Sequence, residues 1–254
     1  MESINLQQYF QGKVFIITGA SSGIGRSVLH LLNSLGADLA LIGRNIKTLQ
    51  AARDSSTHPK NCQLYEFDLL HCENIDILFK RIYDDMGPLS GMVYSSGISP
   101  ISPLRGTKYS RWDEVMRINL YSFMEMLKCY SSRRYLNMGS IVAISSTAAT
   151  MPEKGQIMYA ASKAALNAAV TAAAHELSEK NIRINAVMPG LIQTEMTEKF
   201  STIGPDNFLQ TQKAKQLLGL GTPPDIANFV IFLLSSMSSF CTGRSYYADG
   251  GRIV

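Results

Sequence analysis

Short apolar runs and helix-period stripes take turns along almost the whole chain. Val14–Thr18 reads VFIIT, a run suited to a buried strand, and Ile24, Val28, Leu31, Leu32 and Leu35 then recur at helical spacing until Gly36 stops the helix. Asp38–Ile42 (DLALI) predicts a second strand, with Asn45 placed to cap a helix through Leu49 to Asp54. Gln63–Phe67 predicts a third, and beyond Asp68 the stripe Ile75, Leu78, Phe79, Ile82, Met86 marks a helix that Gly87-Pro88 ends. The rhythm continues with a strand at Gly91–Ser95, one long helix from about Arg111 to Tyr130, a strand at Ser140–Ser145, an Ala-rich helix Met158–Glu179 and a strand at Arg183–Met188. After Pro189-Gly190 the pattern lapses until Pro223-Pro224, so residues 191–222 are expected to form a substrate lid. A helix at Asp225–Leu234 and a strand at Ser245–Ala248 follow.

Repeated strand-helix-strand units with near-continuous apolar strands demand a parallel sheet covered on both faces, because right-handed crossovers place the helices there. The expected fold is therefore α/β: a doubly wound, mostly parallel seven-stranded sheet with helices on both faces, a Rossmann fold, in one domain over residues 1–254. Composition agrees: 254 residues, 46% hydrophobic and 17% charged, exclude disordered and collagen-like classes. The net charge of +4, with no basic run longer than Arg133-Arg134, gives no argument for nucleic acid and is met by a small anionic ligand. Cys62, Cys72, Cys129 and Cys241 form no CxxC pair, which points to reduced structural thiols rather than zinc or disulfides. The N-terminal MESINLQQYFQGK lacks an apolar core, and no window reaches the roughly 18 apolar residues of a membrane span, so a cytoplasmic location is expected.

Directly after the first strand comes Thr18-Gly19-Ala20-Ser21-Ser22-Gly23-Ile24-Gly25. Glycines there permit a tight turn, let backbone amides approach a pyrophosphate, and bring the helix close to the sheet, with the positive end of the helix facing the phosphates. Gly19, Ser21, Ser22, Gly23, Ile24 and Gly25 are the expected phosphate-binding residues. At the end of the second strand an NAD site needs a carboxylate for the ribose 2′-hydroxyl, whereas the chain reads Gly43-Arg44-Asn45. Arg44, with Asn45 beside it, suits a 2′-phosphate, so NADP(H) is the expected cofactor.

A second constellation is Ser146, Tyr159 and Lys163. The last two are four apart and share a helix face, where the ammonium is expected to favour phenolate and lower the tyrosine pKa. Ser146 ends the fifth strand on the side where open α/β sheets bind ligands, and Asn119 lies in the preceding helix. His175 lacks a second histidine at metal spacing and is expected to have a structural or surface role. Trp112, Met116, Met124 and Met126 read as helix packing.

TGASSGIG at 18–25, Asp68, RINL around Asn119, ISS at 144–146, YAASK at 159–163, INAVMPGLIQTEM at 184–196 and CTGRSYYADGG at 241–251 together resemble the short-chain dehydrogenase/reductases, in their compact form and closest to the 3-oxoacyl-acyl-carrier-protein reductase-like group. The resemblance implies that Tyr159 exchanges the proton on a substrate oxygen, Ser146 hydrogen-bonds that oxygen, and Lys163 tunes the tyrosine and holds the nicotinamide ribose. Asn119 would hold a water through its backbone carbonyl. It implies cofactor contacts for Asp68 and Leu69 at the adenine, Gly97 at the ribose, and Pro189, Gly190, Ile192 and Thr194 at the nicotinamide and phosphates. Ser145 rivals Ser146, but the spacing to Tyr159 favours Ser146. The alanines around 160–174 imply a helix-to-helix subunit interface, hence a homotetramer or homodimer. One departure stands out: the family's Asn-Asn-Ala-Gly is here Tyr94-Ser95-Ser96-Gly97, which removes amide side chains expected to brace the strands.

The expected activity is NADPH-dependent reduction of a carbonyl to an alcohol, on a small-molecule substrate set by loops near 97–109, 147–157 and 191–222. The alternative is an NADP-binding scaffold or redox sensor without turnover. A nucleotide-sugar epimerase or dehydratase would need a substrate domain beyond the seventh strand, and length disfavours it.

Overall fold

The computed structural model describes residues 5–135, 138–198 and 208–252. Seven strands, β1 (Val14–Thr18), β2 (Asp38–Gly43), β3 (Cys62–Glu66), β4 (Gly91–Tyr94), β5 (Gly139–Ile144), β6 (Ile182–Pro189) and β7 (Ser245–Ala248), pair in the order β3-β2-β1-β4-β5-β6-β7. Every pair is parallel, so each connection crosses over through helical structure. The helices are α1 (Gly23–Ser34), α2 (Ile46–Asp54), α3 (Ile75–Met86), α4 (Tyr109–Met116), α5 (Ser122–Tyr130), α6 (Ile157–Ser178), α7 (Phe208–Ala214) and α8 (Pro223–Leu234).

Strand side chains alternate between two cores. Ile16, Met92, Ile141 and Ile184 pack under α3, α5 and α6 on one face, while Ile17, Leu41, Val93, Val142 and Val187 pack against α1 and α8 on the other. Burial on both faces is why the strands read as unbroken apolar runs. Each such Leu, Ile or Phe, fully withdrawn from water, contributes about 1.5–3 kcal/mol.

Two predicted elements differ. The single helix over Arg111–Tyr130 is interrupted by a widened π turn at Arg117–Tyr121, where the Ser122 amide reaches back to the Arg117 carbonyl. An extra residue in one turn leaves the apolar stripe almost intact, so periodicity does not reveal it. The expected lid contains a helix, α7, and its described parts are tied to the body. The Leu218 amide donates to the Gly250 carbonyl at 3.0 Å and the Lys215 ammonium to the Glu153 carboxylate at 2.7 Å, while the buried Gln216 side chain links Leu191 to Gly219 within the segment. Residues 199–207 of that segment lie outside the described residues.

Chain connections leave β1 and β4 in opposite directions, and their carboxyl ends open a crevice. Among the described residues no helix is long and apolar enough to cross a membrane. All four cysteines are unpaired, with Cys62 and Cys129 buried. His175 is exposed, which fits the surface role, whereas Met124 faces outward instead of packing as Met126 does.

Candidate active site

A cleft of about 520 Å³ runs across the carboxyl ends of β1, β4, β5 and β6. Its floor at β1 is the glycine loop. The Thr18 hydroxyl accepts from the Ser95 and Ser96 amides, 3.1 Å each, stitching the β4 exit to this loop. Gly19 takes φ +65° directly against the Ser95 carbonyl, and a Cβ on Gly25 would lie 2.3 Å from the Gly19 carbonyl oxygen. Helix α1 therefore starts as close to the loop as backbone permits. Gly25 sits beneath the loop, and Gly19, Ser21, Ser22, Gly23 and Ile24 line the cleft.

The start of α1 already holds an anion. The Gly23 amide donates to one Glu195 oxygen at 3.1 Å, and Arg26 pairs with the other at 2.8 Å. A carboxylate seated on a helix N-terminus shows that this backbone suits a phosphate-like group. Arg44 lines the cleft at the end of β2. Asn45 does not: its side-chain oxygen accepts from the Lys47 and Thr48 amides at 2.9 and 3.3 Å, capping α2. Glu66, opposite Gly43 in the sheet, accepts from the Ile46 amide and likewise stays off the cleft. Asp68 and Leu69 line it, with the Asp68 carboxylate also accepting from the Leu70 amide at 3.0 Å. Gly97, Pro189, Gly190, Ile192 and Thr194 complete the predicted set along the cleft wall.

The chemistry-bearing side chains converge at β5 and the start of α6. Ser146 follows β5, accepts from the Ala148 amide at 3.1 Å and hydrogen-bonds the Tyr159 phenol. Ser145 turns inward, its hydroxyl donating to the Lys163 main-chain carbonyl, which leaves Ser146 as the serine beside the tyrosine. One turn beyond Tyr159, Lys163 is buried; its ammonium donates to the Ile144 carbonyl at 2.7 Å and lies 5.8 Å from the Tyr159 ring centre. Burial pushes Lys163 down to about 8.

The expected lowering of the Tyr159 pKa is not what the structure holds. Burial pushes the phenol above its ordinary value, and the Ser146 hydrogen bond opposes this only in part. The physical reason is desolvation of a phenolate in a deep cleft, together with an ammonium that is itself aimed at a backbone carbonyl.

Asn119 sits in the π turn. Its side chain accepts from the Ile98 amide at 2.9 Å and donates to the Ile98 carbonyl at 3.0 Å and the Ser162 hydroxyl at 2.9 Å. Ser162 in turn donates to the Tyr159 carbonyl at 2.8 Å, so Asn119 joins the β4 exit to α6. Between them, a Cβ on Gly97 would come within 3.3 Å of the Lys163 ammonium.

Three groups at or beside this cleft escape sequence patterns. Glu195 is one. Glu153, on the loop before α6, gathers Gln212 and Lys215 from the 208–222 stretch and Arg252 from beyond β7; burial pushes its carboxyl up, but these partners hold it below the usual range. Tyr94, at the end of β4, is the third. Glu195 falls within INAVMPGLIQTEM and Tyr94 replaces the family's asparagine, but the side-chain partners of all three lie on distant chain segments, which no local motif names.

Comparison with known proteins gives matches over nearly the whole chain. A family model described as enoyl-(acyl carrier protein) reductase matches residues 19–252. The 3-oxoacyl-acyl-carrier-protein reductase FabG of Thermotoga maritima is 32% identical, covering 96% of this chain and 99% of that protein. FabG of Escherichia coli is 30% identical, over 95% and 98% of the two chains. Among solved structures, a short-chain type dehydrogenase/reductase from Mycobacterium ulcerans superposes with a TM-score of 0.87 at 28% identity, covering 95% of this chain and 90% of that one. ElxO with NADP bound superposes with a TM-score of 0.85 at 27% identity, over 94% and 98%.

Proposed function

The chain belongs to the short-chain dehydrogenase/reductase family, oxidoreductases acting on CH–OH and C=O groups, and on that premise we propose that it uses NADPH to reduce a ketone of the 3-oxoacyl type to its alcohol, reversibly. The observation that carries the reading is the meeting of Ser146, Tyr159 and Lys163 in one cleft with an anion-binding glycine loop. Two hydroxyls side by side, Ser146 and Tyr159, suit a reacting oxygen, which favours a carbonyl over a carbon–carbon double bond.

NADPH, when bound, supplies the hydride that goes to the carbonyl carbon. Of the residues lining the cleft, Gly19, Ser21, Ser22, Gly23 and Ile24 would hold its phosphates, Arg44 its 2′-phosphate, and Asp68 and Leu69 its adenine. Gly97 and the Pro189–Thr194 wall bracket the nicotinamide end. Tyr159, kept protonated by burial, is a proton donor in the reducing direction, and Ser146 orients the substrate oxygen toward it. Lys163 holds the nicotinamide ribose and refills the phenol's proton. With its side chain spent on Ile98 and Ser162, Asn119 acts through its main-chain carbonyl, holding a water against Lys163. Exposed Ala161, Ala164, Ala168 and Ala172 give α6 a smooth outer face on which a second copy packs, in a homodimer or homotetramer.

The test is Tyr159→Phe. Turnover of NADPH with 3-oxoacyl thioesters is expected to fall at least about a hundredfold while cofactor binding survives. Near-wild-type turnover overturns the mechanism. Tight NADPH binding with no oxidation across a broad carbonyl panel favours the scaffold reading instead.

A further inference from the structure

Tyr94 stands where the family pattern has asparagine, and the structure gives its phenol a defined task. The residue ends β4, is fully buried, and packs its ring on Phe123 with centroids 5.1 Å apart. Its hydroxyl donates to the Ile118 carbonyl and lies 2.5 Å from the Ser122 hydroxyl, which itself reaches the Ile118 carbonyl at 3.0 Å. Burial pushes the phenol well above its ordinary pKa, so it remains a donor. Both Ile118 and Ser122 belong to or adjoin the π turn, so the Tyr94 and Ser122 hydroxyls end together on a carbonyl of that turn.

Residue 119, next to that carbonyl, is the asparagine that grips Ile98, four residues beyond Tyr94. The segment 94–98 is thus fastened to the π turn at both ends, and Gly97 between the fastenings lies where an added Cβ would come 3.3 Å from the Lys163 ammonium and 3.4 Å from the Asn119 side-chain oxygen. The groups facing that ammonium are Tyr159 on its own helix, the Ile144 carbonyl from β5, and the uncharged Gly97 and Asn119.

Resting on the assignment of Lys163 and Tyr159 above, we propose that Tyr94 is a positioning residue: its hydroxyl, with Ser122, holds the π turn so that Asn119 and Gly97 fix the place of Lys163.

Tyr94→Phe keeps the ring on Phe123 and removes only the hydroxyl. In NADPH-dependent ketone reduction, kcat is expected to fall about tenfold with KM for NADPH within about twofold of wild type. The alkaline limb of the pH–rate profile is expected to move up by about half a unit or more as water reaches Lys163. Ser140→Ala is the control, because it deletes another buried hydroxyl–carbonyl bond, to Leu233 at 2.8 Å, away from the cleft. It should lower the melting temperature and leave kcat and the profile unchanged. Should Tyr94→Phe resist purification, Ser122→Ala removes the other hydroxyl of the network and is expected to change kcat and the profile in the same direction. Wild-type kcat and profile in the hydroxyl variants, a fall in kcat without the profile shift, or equal effects from Ser140→Ala would overturn the proposal. Tyr159→Phe measured alongside separates two failures. Full turnover there removes the catalytic reading and this proposal with it, whereas an inactive Tyr159→Phe beside a wild-type-like Tyr94→Phe removes the positioning role alone.

Discussion

The Glu195 carboxylate rests on the Gly23 amide at the first turn of α1, 3.1 Å away, while Arg26 holds its second oxygen. A dinucleotide phosphate seeks the same positive helix end, so the two anions compete. Glu195→Gln removes the competing charge from a half-exposed pair. NADPH affinity measured by fluorescence titration is expected to tighten about threefold, a size typical of exposed charges at helix termini. Unchanged or weaker binding would show that Glu195 does not oppose the cofactor.

Arg44 is the cation that lines the cleft at the end of β2, where a carboxylate would serve NAD. Arg44→Ala is expected to weaken NADPH binding by about ten- to a hundredfold, the size of a lost charge-assisted pair, and to leave NADH nearly unaffected. Titrating both cofactors against both proteins checks it, and a wild type that prefers NADH refutes the assignment.

On the proposed role of Lys163, activity is expected to follow its protonation. Burial lowers it from 10.5 to about 8. Its ammonium form is lost as pH rises through about 8, so carbonyl reduction is expected to decline there, as a pH–rate profile will show. The stability effect has the opposite sign from a salt-bridged lysine. The unfolded chain holds this proton more tightly, so the cost is fully present below about 8 and is relieved as pH rises toward 10.5. Lys163→Met, an apolar replacement of similar length, is expected to abolish turnover while raising the melting temperature, the buried charge having cost on the order of 3 kcal/mol.

Gly25 lies under the glycine loop with no room for a methyl group, the obstacle being the Gly19 carbonyl at 2.3 Å. Gly25→Ala must push loop and helix apart. NADPH affinity is expected to fall more than about tenfold with a loss of about 1–3 kcal/mol in stability, read by titration and thermal melts. A variant that binds NADPH normally would remove the close approach from the account of the site.

Much of this protein is local and therefore readable along the chain. Strand β1 and helix α1 announce themselves by period, and the glycines between them by the backbone geometry a strand-to-helix turn demands. Tyr159 and Lys163 share a face because a helix repeats every 3.6 residues. Element ends moved by a residue or two, as at β4, which stops at Tyr94 rather than Ser95, because the last ladder bonds depend on neighbours. Asn45 was legible as a cap from its place before α2, and that use takes it out of the cleft.

Periodicity, turn chemistry and crossover handedness set the order of elements, the parallel doubly wound sheet and the residue types at its carboxyl edge. What those residues feel is a product of packing. The raised Tyr159 and lowered Lys163 come from burial created by the whole cleft. Glu195 reaches Gly23 across 172 positions, Glu153 reaches Arg252 across 99, and Tyr94 reaches Ile118 across 24. Desolvation and long-range hydrogen bonds have no period along the chain, and they appear only once distant segments are packed together.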